Sequence, residues 1–119
     1  RPYIPGGVGV ELPAGIIEKN ENPRLSAKRE LKEETGYRAK RLKEIATFSQ
    51  SHGMSRGVDH GYIAYDCESV SKQKLDHDEY IRLFLCSFND LMELVQKGYI
   101  KDANSQLVIE RAKRYIKER

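Results

Sequence analysis

The stretch from Gly15 to Tyr37, GIIEKNENPRLSAKRELKEETGY, decides how this chain folds. It matches the pattern G-x5-E-x7-R-E-U-x-E-E-x-G-U, in which x is any residue and U is a bulky apolar or aromatic one. The fixed positions are Gly15, Glu21, Arg29, Glu30, Glu33, Glu34 and Gly36. Each of these residue types makes up about 5–7 % of average sequences, so a chance match in so short a chain has a probability below roughly one in a million. The pattern therefore indicates a specific site.

Local signals predict one helix inside this stretch. Asn22 followed by Pro23 is typical of an N-cap and a first helical residue, because Asn accepts a hydrogen bond from a free backbone N–H and Pro has no N–H to lose. Gly36 supplies the stop, since glycine best tolerates the left-handed conformation after the last helical turn. We expect the helix to run from about Pro23 to about Thr35.

Three carboxylates share one face of the predicted helix. Glu30, Glu33 and Glu34 stand at positions i, i+3 and i+4, within an arc of about 100°. Like charges this close repel one another, so the arrangement costs stability unless a cation sits among them. Oxygen ligands suit a hard ion, which predicts Mg²⁺ or Mn²⁺ together with a phosphate-bearing molecule. An E-x-x-E-E run alone is more typical of a solvated acidic face on which Arg29 pairs with Glu33, but the other fixed positions favour the metal site.

Length and composition predict one soluble globular domain that covers residues 1–119. Of the 119 residues, 39 % are hydrophobic and 33 % are charged, and the net charge is +3. The basic excess lies in the last turns, where it complements a helix dipole, so we do not expect nucleic-acid binding. Cys67 and Cys86 lie in apolar runs without metal-ligand spacing, which predicts buried free thiols in a reducing cytoplasm. The sequence has no run of membrane-spanning length, and we expect no membrane partner.

The remaining segments predict strands followed by two helices, and so an α/β domain with a mixed sheet. Strand-forming residues with partial alternation predict strands at Val8–Leu12, Arg41–Phe48, Tyr62–Cys67 and Tyr80–Cys86. Ser87 is expected to cap a helix that reaches about Lys97 and ends at Gly98. A last helix is predicted with a core stripe at Leu107, Val108, Ala112, Tyr115 and Ile116.

The fixed pattern is the signature of the Nudix hydrolases, and the chain resembles their ADP-ribose pyrophosphatase branch. Glu11-Leu12-Pro13-Ala14-Gly15 resembles the entry to the signature in that branch, and residues 97–103 resemble its turn into a C-terminal helix. The resemblance implies a Nudix fold with a mixed β-sheet sandwiched between helices. Because a Nudix domain normally has strands before its signature, we expect the N-terminal strands to be missing from this chain or supplied by another piece of chain.

The resemblance implies metal-dependent hydrolysis of the pyrophosphate bond in a nucleoside diphosphate linked to another moiety. With ADP-ribose, the products are AMP and ribose 5-phosphate. The implied metal ligands are Glu30 and Glu34 directly, Glu33 as a shared or water-mediated ligand, and the backbone carbonyl of Ala14. Catalysis of this kind depends on metal positioning and charge neutralisation rather than on a covalent intermediate.

Two further residues are expected to take part in catalysis. Arg29, four residues before Glu33, is expected to orient that carboxylate rather than touch the phosphates. Glu79 is the candidate general base for the attacking water, and Glu33 is the next candidate. An exposed acid in a charge cluster is an equally open interpretation of Glu79.

Substrate-binding positions follow from the resemblance and are Arg1, Glu11, Ser51, Gly53 and Met54. The branch usually has S-P-G-x-[ST] after the signature, whereas this chain has His52 in place of the proline. Because that loop is expected to shape the pocket, the difference leaves the substrate open. A nucleotide sugar, NADH or a nucleoside triphosphate is the alternative substrate, and a non-catalytic nucleotide sensor is the alternative function. The resemblance also implies a homodimer.

Overall fold

The computed structural model describes residues 10–14, 20–49, 58–75 and 81–116. The described residues form the helices α1 (Pro23–Thr35), α2 (Phe88–Gln96) and α3 (Ala103–Ala112). They also form the strands β1 (Tyr37–Arg38), β2 (Arg41–Ser49), β3 (Val58–Tyr65) and β4 (Glu68–Ser69). The chain divides into two compact units: a helix–sheet unit, Pro13–Ile81, and a two-helix unit, to which residues 10–12 and 82–116 belong.

Helix α1 has the predicted bounds, and both predicted caps are confirmed. The side chain of Asn22 accepts hydrogen bonds from the backbone N–H groups of Arg24, at 2.8 Å, and Leu25, at 3.4 Å. Gly36 follows the last turn in the left-handed conformation, with φ 75°, and its N–H donates to the carbonyl of Lys32 at 2.8 Å. Local capping signals therefore fix both ends of this helix.

Two antiparallel strand pairs complete the helix–sheet unit. Strand β2 pairs with β3, and β1 pairs with β4. The β2–β3 ladder has an irregularity between Glu44 and Ala46, which inserts Ile45 as an extra residue. The insertion allows the consecutive side chains of Ile45 and Ala46 both to be buried. The predicted strand Arg41–Phe48 is confirmed, whereas the next strand begins earlier and ends at Tyr65, before Asp66 adopts a positive φ of 53°.

Two other strand predictions differ from the structure. Tyr80 lies outside the described residues, and residues 81–86 form no strand and are exposed. Val8 also lies outside them, and residues 10–12 form no regular strand, although the N–H of Val10 donates to the carbonyl of Tyr99 at 3.4 Å. Both segments have strand-forming side chains, but a strand also requires a neighbouring backbone to form a ladder, which side-chain pattern does not specify.

The two-helix unit has an apolar core. Val10, Leu94, Ile100 and Ile109 form its buried cluster. The partly buried residues packed against this cluster are Leu12, Phe88, Leu91, Met92 and Val95. Ser87 caps α2 as predicted, by accepting from the N–H of Asp90 at 3.0 Å, and Gly98 has a positive φ of 81° after the helix.

The predicted stripe of the last helix is only partly correct. Ala112 is buried, Leu107 and Val108 are half-buried, and the fully buried neighbour is Ile109, which the prediction left out. Tyr115 is exposed because α3 ends at Ala112, so the helical period does not continue that far. A shift in the helix end therefore changes which side chains reach the core.

The cysteine prediction is wrong on burial. Cys67 and Cys86 are both free, as predicted, but both are exposed. Cys67 lies between β3 and β4, and Cys86 lies in the exposed segment 81–86.

The α/β class is confirmed by three helices and four strands, with all four strands in the helix–sheet unit. Within the described ranges, every strand pair is antiparallel, so the parallel pairing of a mixed sheet does not occur in this part of the chain. None of the described helices combines the length and the apolar character needed to cross a membrane.

Candidate functional site

Arg29, near the middle of α1, is the centre of a network of carboxylates. Its Nε donates to Oε2 of Glu21 at 2.9 Å, and its Nη2 donates to Oε1 of the same carboxylate at 3.0 Å. This is the two-pronged pairing that a planar guanidinium forms with a carboxylate. The pair joins the turn before α1 to the helix itself.

The remaining nitrogen of the Arg29 guanidinium contacts two further carboxylates. Nη1 donates to Oε1 of Glu30 at 2.8 Å, and it lies 3.1 and 3.2 Å from the two oxygens of Glu33. The pKa of Arg29 is raised above its ordinary value, first by the hydrogen bond to Glu21 and then by those to Glu30 and Glu33, although desolvation opposes the rise. Arg29 therefore stays charged and holds Glu33, the contact that the spacing predicted.

Three carboxylates converge on one guanidinium. Glu21, Glu30 and Glu33 all pair with Arg29, the last two from the same helix. The carboxylates of Glu21 and Glu30 are mostly shielded, with 18 % and 21 % of each side chain exposed, so water screens their charges only in part. Carboxylate oxygens grouped in this way are the ligands that a hard divalent cation prefers.

Glu34, the remaining acidic residue of the predicted metal site, makes a different contact. It is buried, with 8 % of its surface exposed. Its Oε1 accepts a hydrogen bond from the backbone N–H of Ala14 at 3.2 Å. The structure therefore brings together two predicted metal ligands, Glu34 and the backbone of Ala14, from segments that are 20 residues apart in the sequence.

The carboxylates of α1 are not arranged around a common point as a set of metal ligands. Within the described ranges, no three His, Cys, Asp or Glu side chains are arranged as a ready group of metal ligands. Instead, Arg29 contacts Glu30 and Glu33, and the N–H of Ala14 contacts Glu34. The oxygen atoms of these carboxylates suit a hard cation as ligands, and all three side chains belong to one helix.

Sequence reasoning missed the residues that hold the C-terminal end of α1. The side-chain Nε2 of Gln73 donates to the carbonyl of Glu34 at 2.6 Å, and the N–H of Lys74 donates to the carbonyl of Glu33 at 2.7 Å. These carbonyls belong to the last helical turn, which has no further helical N–H groups to pair with. No sequence pattern could reveal the contact, because an amide in a polar loop has many other possible partners.

The N-terminal end of α1 is held against the β2–β3 pair. The Nη1 of Arg24 donates to the carbonyl of Leu42, and its guanidinium lies 5.6 Å from the ring centre of Tyr62. Desolvation raises the pKa of Tyr62, and the nearby Glu44 raises it further. The Nδ1 of His60 lies 2.7 Å from Oε1 of Glu44. The Arg24 contacts attach the helix to the strand pair, and the contact of His60 with Glu44 joins the two strands.

Several predicted site residues cannot be compared with this geometry. Those outside the described residues are Glu79, Arg1, Ser51, Gly53 and Met54. Glu11 is described and exposed, but it belongs to the two-helix unit, whereas the carboxylate network belongs to the helix–sheet unit.

Comparison with known proteins gives a family and a fold. The model of the NUDIX domain family matches residues 1–108. The chain is 37 % identical over 102 residues to an ADP-ribose pyrophosphatase of Bacillus subtilis (strain 168), a match that covers 85 % of this chain and 55 % of that protein. It is 31 % identical over 108 residues to a GDP-mannose pyrophosphatase of Cronobacter sakazakii, covering 89 % of this chain and 56 % of that protein.

A solved structure agrees with the family at the level of the fold. The crystal structure of an ADP compounds hydrolase superposes with a TM-score of 0.78 at 20 % identity, covering 90 % of this chain and 57 % of that one. The chain spans about half the length of the curated relatives it matches. The assignments of fold and family therefore rest on matches that cover most of this chain but only part of each relative.

Proposed function

The chain belongs to the NUDIX domain family, and on that premise we propose that it hydrolyses the pyrophosphate bond of a nucleoside diphosphate linked to another moiety. ADP-ribose is the proposed substrate, with AMP and ribose 5-phosphate as the products. The observation that carries the proposal is the convergence of three carboxylates on Arg29, in the helix whose last turn also carries the buried Glu34. The similarity to an ADP-ribose pyrophosphatase supports this choice of substrate.

Mg²⁺ or Mn²⁺ is the proposed cofactor. Glu30 and Glu34 are proposed as direct ligands, Glu33 as a shared or water-mediated ligand, and the carbonyl of Ala14 as a backbone ligand. When bound, such an ion neutralises charge on the phosphate oxygens and lowers the pKa of a bound water. The hydrogen bond between Ala14 and Glu34 supports this set, since it keeps the backbone of one proposed ligand beside the side chain of another.

The residues of the chain itself have distinct proposed roles. Arg29 orients Glu33, because its Nη1 lies within 3.2 Å of both carboxylate oxygens of Glu33. Glu21 keeps Arg29 in place through the two-pronged pairing. Glu79 accepts the proton of the attacking water, and Glu33 is the second candidate for that role. Arg29 cannot act as an acid or base here, since its raised pKa keeps it protonated.

The proposals on substrate contacts and assembly rest on the family resemblance. Arg1, Glu11, Ser51, Gly53 and Met54 are proposed to contact the substrate. We propose a single domain over residues 1–119 and a homodimer. A cytoplasmic location is also proposed, because Cys67 and Cys86 are both free and exposed, which is typical of a reducing compartment.

A panel of substrates tests the proposed function. The purified chain is incubated with Mg²⁺ or Mn²⁺ and ADP-ribose, GDP-mannose, NADH or a nucleoside triphosphate, and the products are separated and identified. We expect AMP from ADP-ribose, with no product after chelation of the metal by EDTA. Absence of metal-dependent hydrolysis for every compound, with tight nucleotide binding retained, would instead support the nucleotide sensor.

A nucleotide sugar is the second candidate substrate. The 31 % identity to a GDP-mannose pyrophosphatase is the observation that favours it. Both substrates have a pyrophosphate bridge, so the α1 carboxylates serve either one equally well, and the choice depends on the residues that contact the base and the sugar. A higher kcat/KM for GDP-mannose than for ADP-ribose in the same panel would select this candidate.

A further inference from the structure

We propose that Gln73 is a positioning residue for the metal-binding carboxylates of α1, an inference that rests on the proposed function. Its Nε2 donates to the carbonyl of Glu34 at 2.6 Å, across 39 residues of sequence. The N–H groups of the last helical turn are already used within α1, so its carbonyls need donors from outside the helix. Gln73 supplies one of those donors at the backbone of a proposed metal ligand.

The neighbours of Gln73 continue the same contact along the chain. The N–H of Lys74 donates to the carbonyl of Glu33 at 2.7 Å. The N–H groups of Val70 and Ser71 donate to the carbonyl of Gly36 at 2.9 and 3.2 Å. Residues 70–74 therefore form a capping segment for α1, and Gln73 is the residue of this segment that uses its side chain to hold a helix carbonyl.

The capping segment acts on the part of α1 where orientation matters most. The last turn carries Glu33 and Glu34, whose carboxylates are held by Arg29 and by the N–H of Ala14. Those contacts fix the side chains, whereas Gln73 and Lys74 fix the backbone to which the side chains are attached. If the last turn frays, both carboxylates rotate away from Glu30, and metal affinity falls. Removal of a hydrogen bond that orients a metal ligand typically lowers affinity or activity by about 10- to 100-fold.

The Gln73 amide also has a second, weaker contact. Nε2 lies 3.4 Å from the carbonyl of Ile81, near the upper limit for a hydrogen bond. An amide nitrogen has two hydrogens, so both contacts can form together. Gln73 thereby contacts both the end of α1 and the last residue of the helix–sheet unit.

A matched pair of substitutions tests the proposal. Gln73→Met keeps the length and approximate shape of the side chain but removes its donor. Gln106→Met is the control, because the Nε2 of Gln106 donates to the carbonyl of Ile100 at 3.0 Å in the two-helix unit. Each variant loses a bond from a glutamine amide to a backbone carbonyl, and Gln73→Met also loses the weaker contact with Ile81. Gln73→Asn, which keeps the amide but is one methylene shorter, serves as the second variant should Gln73→Met fail to fold.

Three readouts separate positioning from general stability. We expect Gln73→Met to weaken Mn²⁺ binding, measured by electron paramagnetic resonance, by about 10-fold. Amide hydrogen exchange in the last turn of α1 is expected to become about 10-fold faster, and kcat at saturating metal to fall by a similar factor. Gln106→Met is expected to change each quantity by less than about twofold, whatever its effect on the melting temperature.

The outcomes distinguish the positioning role from the proposed function. If the wild-type chain binds Mn²⁺ and turns over substrate, and the Gln73 variants match Gln106→Met in all three readouts, the positioning role is overturned. If the wild-type chain binds Mn²⁺ and the Gln73 variants bind it more weakly, but no substrate is hydrolysed, positioning stands and the hydrolase function fails. If the wild-type chain binds no Mn²⁺, both are overturned.

Discussion

Helices α1 and α2 bury different kinds of side chain. The buried side chains of α1 are Ser26, Glu34 and Thr35. Helix α2 instead buries Leu94, which belongs to the apolar cluster of the two-helix unit. Directional hydrogen bonds and ion pairs therefore hold α1, whereas apolar contact holds α2. A substitution in α1 should mainly change chemistry, and one in the two-helix unit should mainly change stability.

The largest expected effect concerns Glu34 in α1. Glu34→Gln removes a charge from the proposed metal site but keeps an oxygen that can accept from the N–H of Ala14. Charge stabilisation by a catalytic metal is worth several kcal/mol, so we expect kcat/KM to fall by about 1,000-fold. The rate is measured with ADP-ribose and Mg²⁺, and circular dichroism and thermal unfolding check the fold. Near-normal turnover by the folded variant would contradict the assignment of Glu34 as a ligand.

The next effect concerns the apolar core of the two-helix unit. Ile100 is 1 % exposed, and Ile100→Ala is expected to lower the free energy of unfolding by about 2–5 kcal/mol. Leu85→Ala is the control, because Leu85 is 74 % exposed and its truncation should change that free energy by less than about 0.5 kcal/mol. Denaturant unfolding measures both. Equal losses in the two variants would show that the apolar cluster does not stabilise this unit.

Two glycines sharpen the comparison at the ends of the helices. Gly36 follows α1 with φ 75°, and Gly98 follows α2 with φ 81°, so alanine is strained at either position. A Cβ at Gly36 would also overlap the carbonyl oxygen of Ser71, whereas a Cβ at Gly98 meets no atom of the described residues within 4 Å. We expect Gly98→Ala to cost about 1–2 kcal/mol, and Gly36→Ala to cost about 1 kcal/mol more.

The same pair of glycine variants also separates the two regions by function. Gly36→Ala pushes the capping segment away from α1 and should lower kcat, while Gly98→Ala should leave kcat nearly unchanged. Chemical unfolding and steady-state kinetics are measured on both proteins. Equal stability and equal kcat in the two variants would argue against close packing of residues 70–74 on α1.

The smallest expected effect concerns an exposed ion pair in the helix–sheet unit. The Nη2 of Arg38 lies 2.6 Å from Oε1 of Glu68, but 65 % of the Arg38 side chain and 46 % of the Glu68 side chain are exposed. Water and salt screen such a pair, so Glu68→Gln should change the free energy of unfolding by less than about 0.5 kcal/mol. Thermal unfolding at low and high salt measures the change. A loss above about 1 kcal/mol would mean that this pair is less screened than its exposure indicates.

The sequence predicted features that depend on contacts between near neighbours in the chain better than features that depend on distant contacts. Helix α1 was predicted with its correct bounds because Asn22 and Gly36 act on their immediate neighbours. The contact of Arg29 with Glu33 was predictable for the same reason, since residues four apart meet on one helix face. The seven-position pattern also led to the family that the comparison shows.

Two of the failed predictions depend on distant partners. A strand at residues 81–86 and burial of Cys86 both required a neighbouring strand that the side-chain pattern does not specify. The contact of Gln73 with Glu34 joins positions 39 residues apart through a single amide, which leaves no periodic signal. Position in space, rather than residue type, decides these features.

Manganese binding at α1 tests the central claim most directly. Crystals of the chain are soaked in Mn²⁺, and anomalous diffraction locates the ion. We predict a strong anomalous peak from an ion coordinated by carboxylate oxygens of Glu30 and Glu34. The peak should be lost in crystals of Glu34→Gln. A saturating soak that leaves no peak beside α1, with Arg29 still paired to Glu30 and Glu33, would contradict the account.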